Sequence, residues 1–182
     1  MDNSLIKALA RRVIGTHEPN VQLSDVVTCK SSTLKESDLS ENGDYPTYGA
    51  AGLSGYSNHC LALQDSILIT KDGSGIGSLR FVRKYHSFVG TLNSLTPKNG
   101  IYLPYVYYAL FNVNFDAYRT GQAIPHIYFK DYGKEAIYCP EYDEQVRLAK
   151  ALELVDTKAG IENTVLKDLQ TLKTSLLAGL FI

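Results

Sequence analysis

PEYDEQVRLAKALELVDTKAGIENTVLKDLQTLKTSLLAGLFI, residues 140–182, decides how the rest of the chain is read. It reads as one helix of about forty residues, roughly 60 Å long at a rise of about 1.5 Å per residue. The residues before it would form a globule with a radius of only about 14–15 Å. Such a helix cannot be covered by its own domain.

The start of the helix is well signalled. Asp143 can cap it, Glu144 places an acid in the first turn where the dipole favours one, and Pro140 lies upstream where no backbone donor is missed. Apolar residues then fall at Leu148, Leu152, Val155 and Ala159, and again at Val165, Leu169, Leu172, Leu176 and Leu180. Steps of four and three are seam spacings of a coiled coil. Between the two runs Glu162 takes the expected seam position beside Gly160, so the seam is expected to rotate midway. A core helix of a larger domain would carry similar residues. Length and spacing favour a partner, either a second copy or another protein.

With 182 residues, 45% hydrophobic and 20% charged, the chain has room for one core plus an appendage. No apolar run approaches the eighteen or so residues that span a bilayer, and the N-terminus lacks a signal-peptide series, so a cytoplasmic protein without membrane contact is expected. Cys29, Cys60 and Cys139 are odd in number and show no CxxC spacing, which suggests buried thiols rather than disulfides or a zinc site. Residues 1–140 carry 13 basic against 12 acidic groups, and residues 141–182 carry 5 against 7. Bulk charge therefore does not announce nucleic-acid binding, and local clusters must carry any such reading.

Residues 4–14 place Leu5, Ile6, Leu9, Val13 and Ile14 on one face of a short amphipathic helix. Residues 21–27 (VQLSDVV) alternate as a strand, and Ser31 to Asp44 is a polar loop. YPTYGAAGLSGYS (45–57) supplies turns with protruding rings, suited equally to a binding surface and to a shielded β-corner. SILITKDGSGIGSLRFV (66–82) reads as a strand, a glycine turn and a strand. Short strands follow at 87–91 and 92–96, then a buried helix at 102–112, a loop at 118–127, a turn near 128–132 and a strand at 135–138. Short hairpin strands with helices at the ends predict an α+β domain with a mainly antiparallel or mixed sheet, followed by the long coiled-coil helix. Three segments result: an N-terminal helix and linker (1–20), a globular domain (21–140) and the long helix (141–182).

KDGSGIGS (71–78) invites comparison with phosphate-cradling loops. Those loops lead from a strand into a helix and, in the P-loop, close on a Lys-Ser/Thr pair, whereas this one leads into a second strand. A hairpin turn is the better reading, and an S-adenosylmethionine site fails on the same grounds. His17, His59, His86 and His126 are scattered, no GxSxG elbow exists, and the residues give no sign of an enzyme or a metal site.

Positive charge does cluster with polar and aromatic residues in the expected turns. Lys71 and Ser74 belong to the glycine turn, Arg80, Arg83, Lys84, Tyr85 and His86 follow it, and Arg119, Thr120, Gln122 and His126 occupy the later loop, with Tyr48 on the Tyr/Gly stretch. Arg, Lys and Gln read base edges in a major groove, while Ser and Thr suit phosphates. Each is also an ordinary solvated surface residue.

The order YPTYGAAGLSGY, ITKDGSGIG, YLPYVYYAL, RTGQAIPHI and YCPEYDEQVRLAKAL, ending in a leucine-rich helix, resembles the specificity (S) subunits of type I restriction-modification systems. The likeness runs from about Val21 onward, and the Pro140, Glu144, Gln145 helix start is its most specific part. It implies a non-catalytic target recognition domain that reads half of a split double-stranded DNA target. It also implies a conserved helix that pairs antiparallel, spaces two half-sites and docks methyltransferase (modification) subunits, with the restriction subunit reached indirectly. S-adenosylmethionine would then be bound by the methyltransferase partner. Cys139-Pro140 keeps one of the two prolines frequent in the family at this place, and one recognition domain with one helix is half of a full S subunit. The resemblance thus implies association with a second copy or another specificity chain, and two identical readers imply a two-fold symmetric, interrupted target. The competing class is a non-catalytic protein- or glycan-binding adaptor that oligomerises through the helix, since tyrosines also favour such interfaces.

Overall fold

The computed structural model describes residues 4–180, with side chains through residue 178. In chain order the elements are α1 (Ser4–Val13), β1 (Val21–Gln22), α2 (Leu23–Val26), β2 (Val27–Ser31), β3 (Tyr45–Gly49), β4 (Gly52–Ser57), β5 (Ser66–Thr70), β6 (Leu79–Val82), β7 (Ser87–Phe88), β8 (Leu92–Pro97), α3 (Leu103–Ala109), α4 (Phe129–Tyr132), β9 (Ala136–Ile137) and α5 (Tyr142–Leu180). A four-stranded antiparallel sheet runs in the order β2-β8-β5-β6. A second sheet, β4-β3-β7, is mixed because β3 and β7 run parallel, and β1 pairs antiparallel with β9. The fold is α+β with a mixed sheet system and a long C-terminal helix.

β5 is the centre of this arrangement. Every residue of SILIT is buried, as expected of a strand covered on both faces. Ile67 and Ile69 join Leu95, the α3 residue Val106 and Leu110 just after α3 in the main core, while Leu68 points the other way to Val82, Phe88 and Leu92. A third cluster lies under the helices, where Ile6, Ala10 and Ile14 of the N-terminal segment meet Tyr105, Tyr108 and Phe111 and the α5 residues Ala149 and Leu152.

Two local expectations change. Residues 21–27 do not form one strand: the Asp25 carboxylate accepts the Gln22 amide at 3.3 Å, and the helical turn this closes buries Leu23 and Val26 together. The spacing i, i+3 serves that turn better than alternation serves a strand. Leu5, expected on the inner face of α1, is exposed, and Ala10 takes the buried position instead.

The start of α5 is locked by Gln145. Its Oε1 accepts the Tyr102 amide at 2.9 Å, and its Nε2 donates to the Pro140 carbonyl at 2.8 Å. With Ala149 and Leu152 buried next, the first turns of α5 belong to the domain core. From Ile161 to Ala178 every side chain is exposed. The helix has 39 residues, which at about 1.5 Å per residue gives a length of about 58 Å.

Candidate nucleic-acid interface

The β5–β6 hairpin holds the glycine loop at one end, and the later loop folds back onto it. The Gly73 amide donates to the Pro125 carbonyl and the Ile127 amide to the Lys71 carbonyl, both at 2.9 Å. Thr120 and His126 exchange amide hydrogen bonds at 2.9 and 2.8 Å, closing the tip of the second loop. The His126 Nδ1 lies 2.7 Å from Asp72 Oδ1, and the Lys71 ammonium lies 3.7 Å from the other oxygen of the same carboxylate. A carboxylate can only accept, so Nδ1 carries the proton and Nε2 is left for a ligand.

Each loop also depends on a glycine where its backbone passes close to a neighbour. Gly77 has φ +77°, and a Cβ there would come within 2.6 Å of the Phe115 Cβ. At Gly121, with φ +80°, a Cβ would lie 2.4 Å from the Ile124 carbonyl oxygen. Neither position accepts a larger residue without displacing the loop.

The structure therefore brings Lys71, Ser74, Arg119, Thr120, Gln122 and His126 onto one surface. Ser74, Arg119, Thr120 and Gln122 are exposed, and Lys71 and His126 are half-buried. Ile124 and Tyr128, exposed on the same loop, were not singled out by sequence; Tyr128 stacks beside His126 with ring centroids 6.4 Å apart. Their signal was present as apolar residues in a polar loop.

The remaining candidates lie elsewhere. Arg83 and Lys84 follow β6 at the opposite end of the hairpin, where Asp65 accepts from the Arg83 guanidinium at 3.0 Å and from the Lys84 amide at 2.8 Å. Arg80 is exposed midway along β6, beside Gly52. The Tyr48 ring is half-buried against the cluster of Leu68, Val82, Phe88 and Leu92. His86 is a correction: it is fully buried, with Nε2 2.9 Å from the Ser66 hydroxyl and Nδ1 2.7 Å from the Arg83 carbonyl. Burial holds its pKa below the ordinary histidine value, so it packs as a neutral ring and touches no ligand.

A cleft of about 800 Å³ between β6 and the helices is lined by residues that include Lys7, Arg11, Arg80, Tyr107, Glu153 and Asp156. Burial, with help from Glu153, raises the Asp156 carboxyl above its usual range. The three cysteines are half-buried, and burial pushes the Cys29 thiol up to about 11. Among the described residues no group of His, Cys, Asp and Glu is placed to hold a metal ion, and no helix is long and apolar enough to cross a membrane.

On α5 the expected seam divides between two faces. Leu152 is buried and Leu148 half-buried against α1 and α3, so these two serve the chain's own core rather than an external partner. At about 100° per residue, the exposed Leu154, Ile161, Val165, Leu169, Leu172 and Leu176 lie on the opposite side of the helix. Val155 lies at the margin of the first face, and Ala159, seven residues after Leu152, lies on that face at the edge of the domain. Leu166 and Leu177 are exposed where the first face continues beyond the domain. The Leu180 side chain lies outside the described residues. The register slip at Glu162 is thus the change from a face that covers the domain to one that leaves it.

Two joined loops at one end of a sheet, beside a helix that leaves the domain, suit a binding module. The chain belongs to the type I restriction modification DNA specificity domain family, whose model matches residues 18–171. This is a specificity family and not a catalytic one. No curated protein matches the sequence. Among solved structures, the type I restriction-modification S subunit from M. genitalium matches with TM-score 0.65 and 20% identity, over 78% of this chain and 40% of that one. The HsdS subunit from Thermoanaerobacter tengcongensis matches with TM-score 0.64 and 18% identity, over 86% and 43%. A third match, from work on complex assembly and conformational transition of the type I R-M system, has TM-score 0.69 and 18% identity, over 86% and 44%. The chain thus spans about two fifths of the length of each. At these identities the likeness concerns the fold.

Proposed function

We propose that this chain reads one half of a split double-stranded DNA target for a type I restriction-modification assembly. In this reading residues 21–140 are the target recognition domain, α1 braces it, and α5 is the helix that meets partners. The observation that carries it is the convergence of the glycine loop and the 118–128 loop, which puts Lys71, Arg119, Gln122 and His126 on one surface. Base edges and phosphates are the ligands those groups suit.

The free half of α5 supports pairing with a second copy or another specificity chain through Val165, Leu169, Leu172 and Leu176. Its exposed apolar arc, widened by Leu166 and Leu177, exceeds a two-stranded seam, which buries only a narrow stripe. The flank is left for methyltransferase subunits, which would bind S-adenosylmethionine and perform the chemistry; the restriction subunit would attach through them. A near-neutral domain would bind DNA weakly and with strong salt dependence when alone, and partners encircling the duplex would supply much of the phosphate contact.

The test is DNA binding by the chain in complex with its modification subunit, with Lys71→Glu and Arg119→Glu compared with the unaltered chain across a salt series. A loss of tenfold or more and a shallower salt slope are expected. Unchanged affinity and slope would remove the reading.

A further inference from the structure

At the end of the hairpin away from the convergent loops, Ala62 and His86 exchange backbone hydrogen bonds at 2.9 and 3.3 Å, and their side chains turn inward, Ala62 to 6% and His86 to 0% exposure. The next residue on each side turns outward: Leu63 is 71% exposed and Tyr85 52%. Tyr85 has φ +64° and is the only non-glycine residue at positive φ among those described. A bulky side chain is rarely held in that conformation unless its surroundings enforce it. Here they do: the Tyr85 amide donates to the Ala62 carbonyl at 2.9 Å, and the buried His86 ring is tied to Ser66 and to the Arg83 carbonyl. The turn spends its backbone strain on displaying a tyrosine to solvent.

Charge gives this apolar knob a direction. Arg83 and Lys84 flank it, both exposed, and the Lys84 ammonium sits 5.2 Å from the centre of the Tyr85 ring. The acid nearby, Asp65, is already engaged by Arg83 and by the Lys84 amide. Apolar side chains between cations are the equipment of proteins that press a wedge into the minor groove. The spacing agrees. β5 has five residues, about 17 Å at roughly 3.3 Å each, and separates the knob from the convergent loops. Half a turn of B-DNA is also about 17 Å, and along one face of a duplex the other groove comes round at that distance.

We propose that Tyr85 and Leu63 form a second DNA contact, an apolar wedge in the minor groove half a turn from the bases met by the loops, with His86 as its positioning residue. This rests on the DNA-reading function above, and its test separates the two. The complex of the chain with its modification subunit is incubated with a pool of duplexes carrying 30 randomised base pairs, and bound DNA is sequenced for the unaltered chain, Tyr85→Gly, Leu63→Ser and Gln122→Ala. Glycine relieves the positive φ, so Tyr85→Gly should melt at an equal or higher temperature. It should nonetheless bind DNA at least fivefold more weakly, and with Leu63→Ser it should lose base preference about five pairs from the positions that Gln122→Ala relaxes. If the unaltered complex enriches a motif and both wedge variants enrich it equally and bind equally tightly, the wedge is overturned while the DNA reading stands. If the unaltered complex enriches nothing, the DNA reading falls and takes the wedge with it. If Tyr85→Gly fails to co-purify with the modification subunit, the knob is a protein contact and the proposal is overturned.

Discussion

The His126 Nδ1 and the Asp72 Oδ1 lie 2.7 Å apart across 54 positions of sequence, and this contact joins the two loops that carry the candidate base-reading groups. Both side chains are part exposed, so the pair orders the loops more than it stabilises the fold. Asp72→Ala and His126→Ala should each weaken DNA binding by the modification complex, and the double variant should lose little more than either alone. A double-mutant cycle should give a coupling of about 1 kcal/mol. Additive losses would mean that the two residues act separately.

His86 makes the domain sensitive to acid. Its folded pKa is held below the ordinary value by burial, so below the unfolded pKa of about 6.5 the unfolded chain binds a proton that the native chain does not. Stability contributed by the neutral ring is present above that pH and is lost as pH falls through it, by up to about 1.4 kcal/mol per pH unit. Urea melts at pH 7.5 and 5.5 should show this loss for the unaltered chain and a smaller one for a His86→Gln variant that folds.

The two faces of α5 separate stability from association. Leu152→Ala should destabilise the domain by about 2–4 kcal/mol, because a buried leucine is replaced by a cavity. Leu169→Ala and Leu172→Ala should leave the melting of the domain nearly unchanged and shift sedimentation toward the monomer. The reverse pattern would place the partner on the wrong side of the helix.

Between these faces, Gly160 has nothing within 4 Å of the position where a Cβ would sit. Gly160→Ala should therefore raise helix stability by about 1 kcal/mol with no clash. Glu162 is exposed with Lys158 at 4.0 Å, a pair of little energetic consequence, so Glu162→Leu should strengthen self-association if its position enters the seam. Circular dichroism melts and sedimentation equilibrium would measure both.

Periodicity made the long helix, the β5–β6 hairpin and the buried α3 legible, because each is long or regular enough for its pattern to outweigh local exceptions. At α2, one hydrogen bond from Asp25 and the pairing of Leu23 with Val26 defeated a short alternation. In the first half of α5 the seam spacing is ambiguous, because Leu148 and Leu152 satisfy a coiled coil and a domain core equally well, and only the packing of α1 and α3 tells them apart. The convergence of two loops was beyond reach, since backbone bonds from Gly73 to Pro125 and from Ile127 to Lys71 leave no trace in composition. His86 looked like its basic neighbours in sequence, yet its pairing with Ala62 turns it inward and leaves Tyr85 outside.

The proposed function makes this chain one of two like readers that select DNA for a methyltransferase. Co-expression with its modification subunit in a host free of background methylation, followed by sequencing that maps methylated adenines and cytosines, tests it most directly. The account predicts methylation at an interrupted motif whose two halves are related by two-fold symmetry, and its loss with Leu169→Glu. Methylation at a continuous or asymmetric motif would contradict the paired-reader account, and none at all with a stable complex would contradict the assignment of DNA selection to this chain.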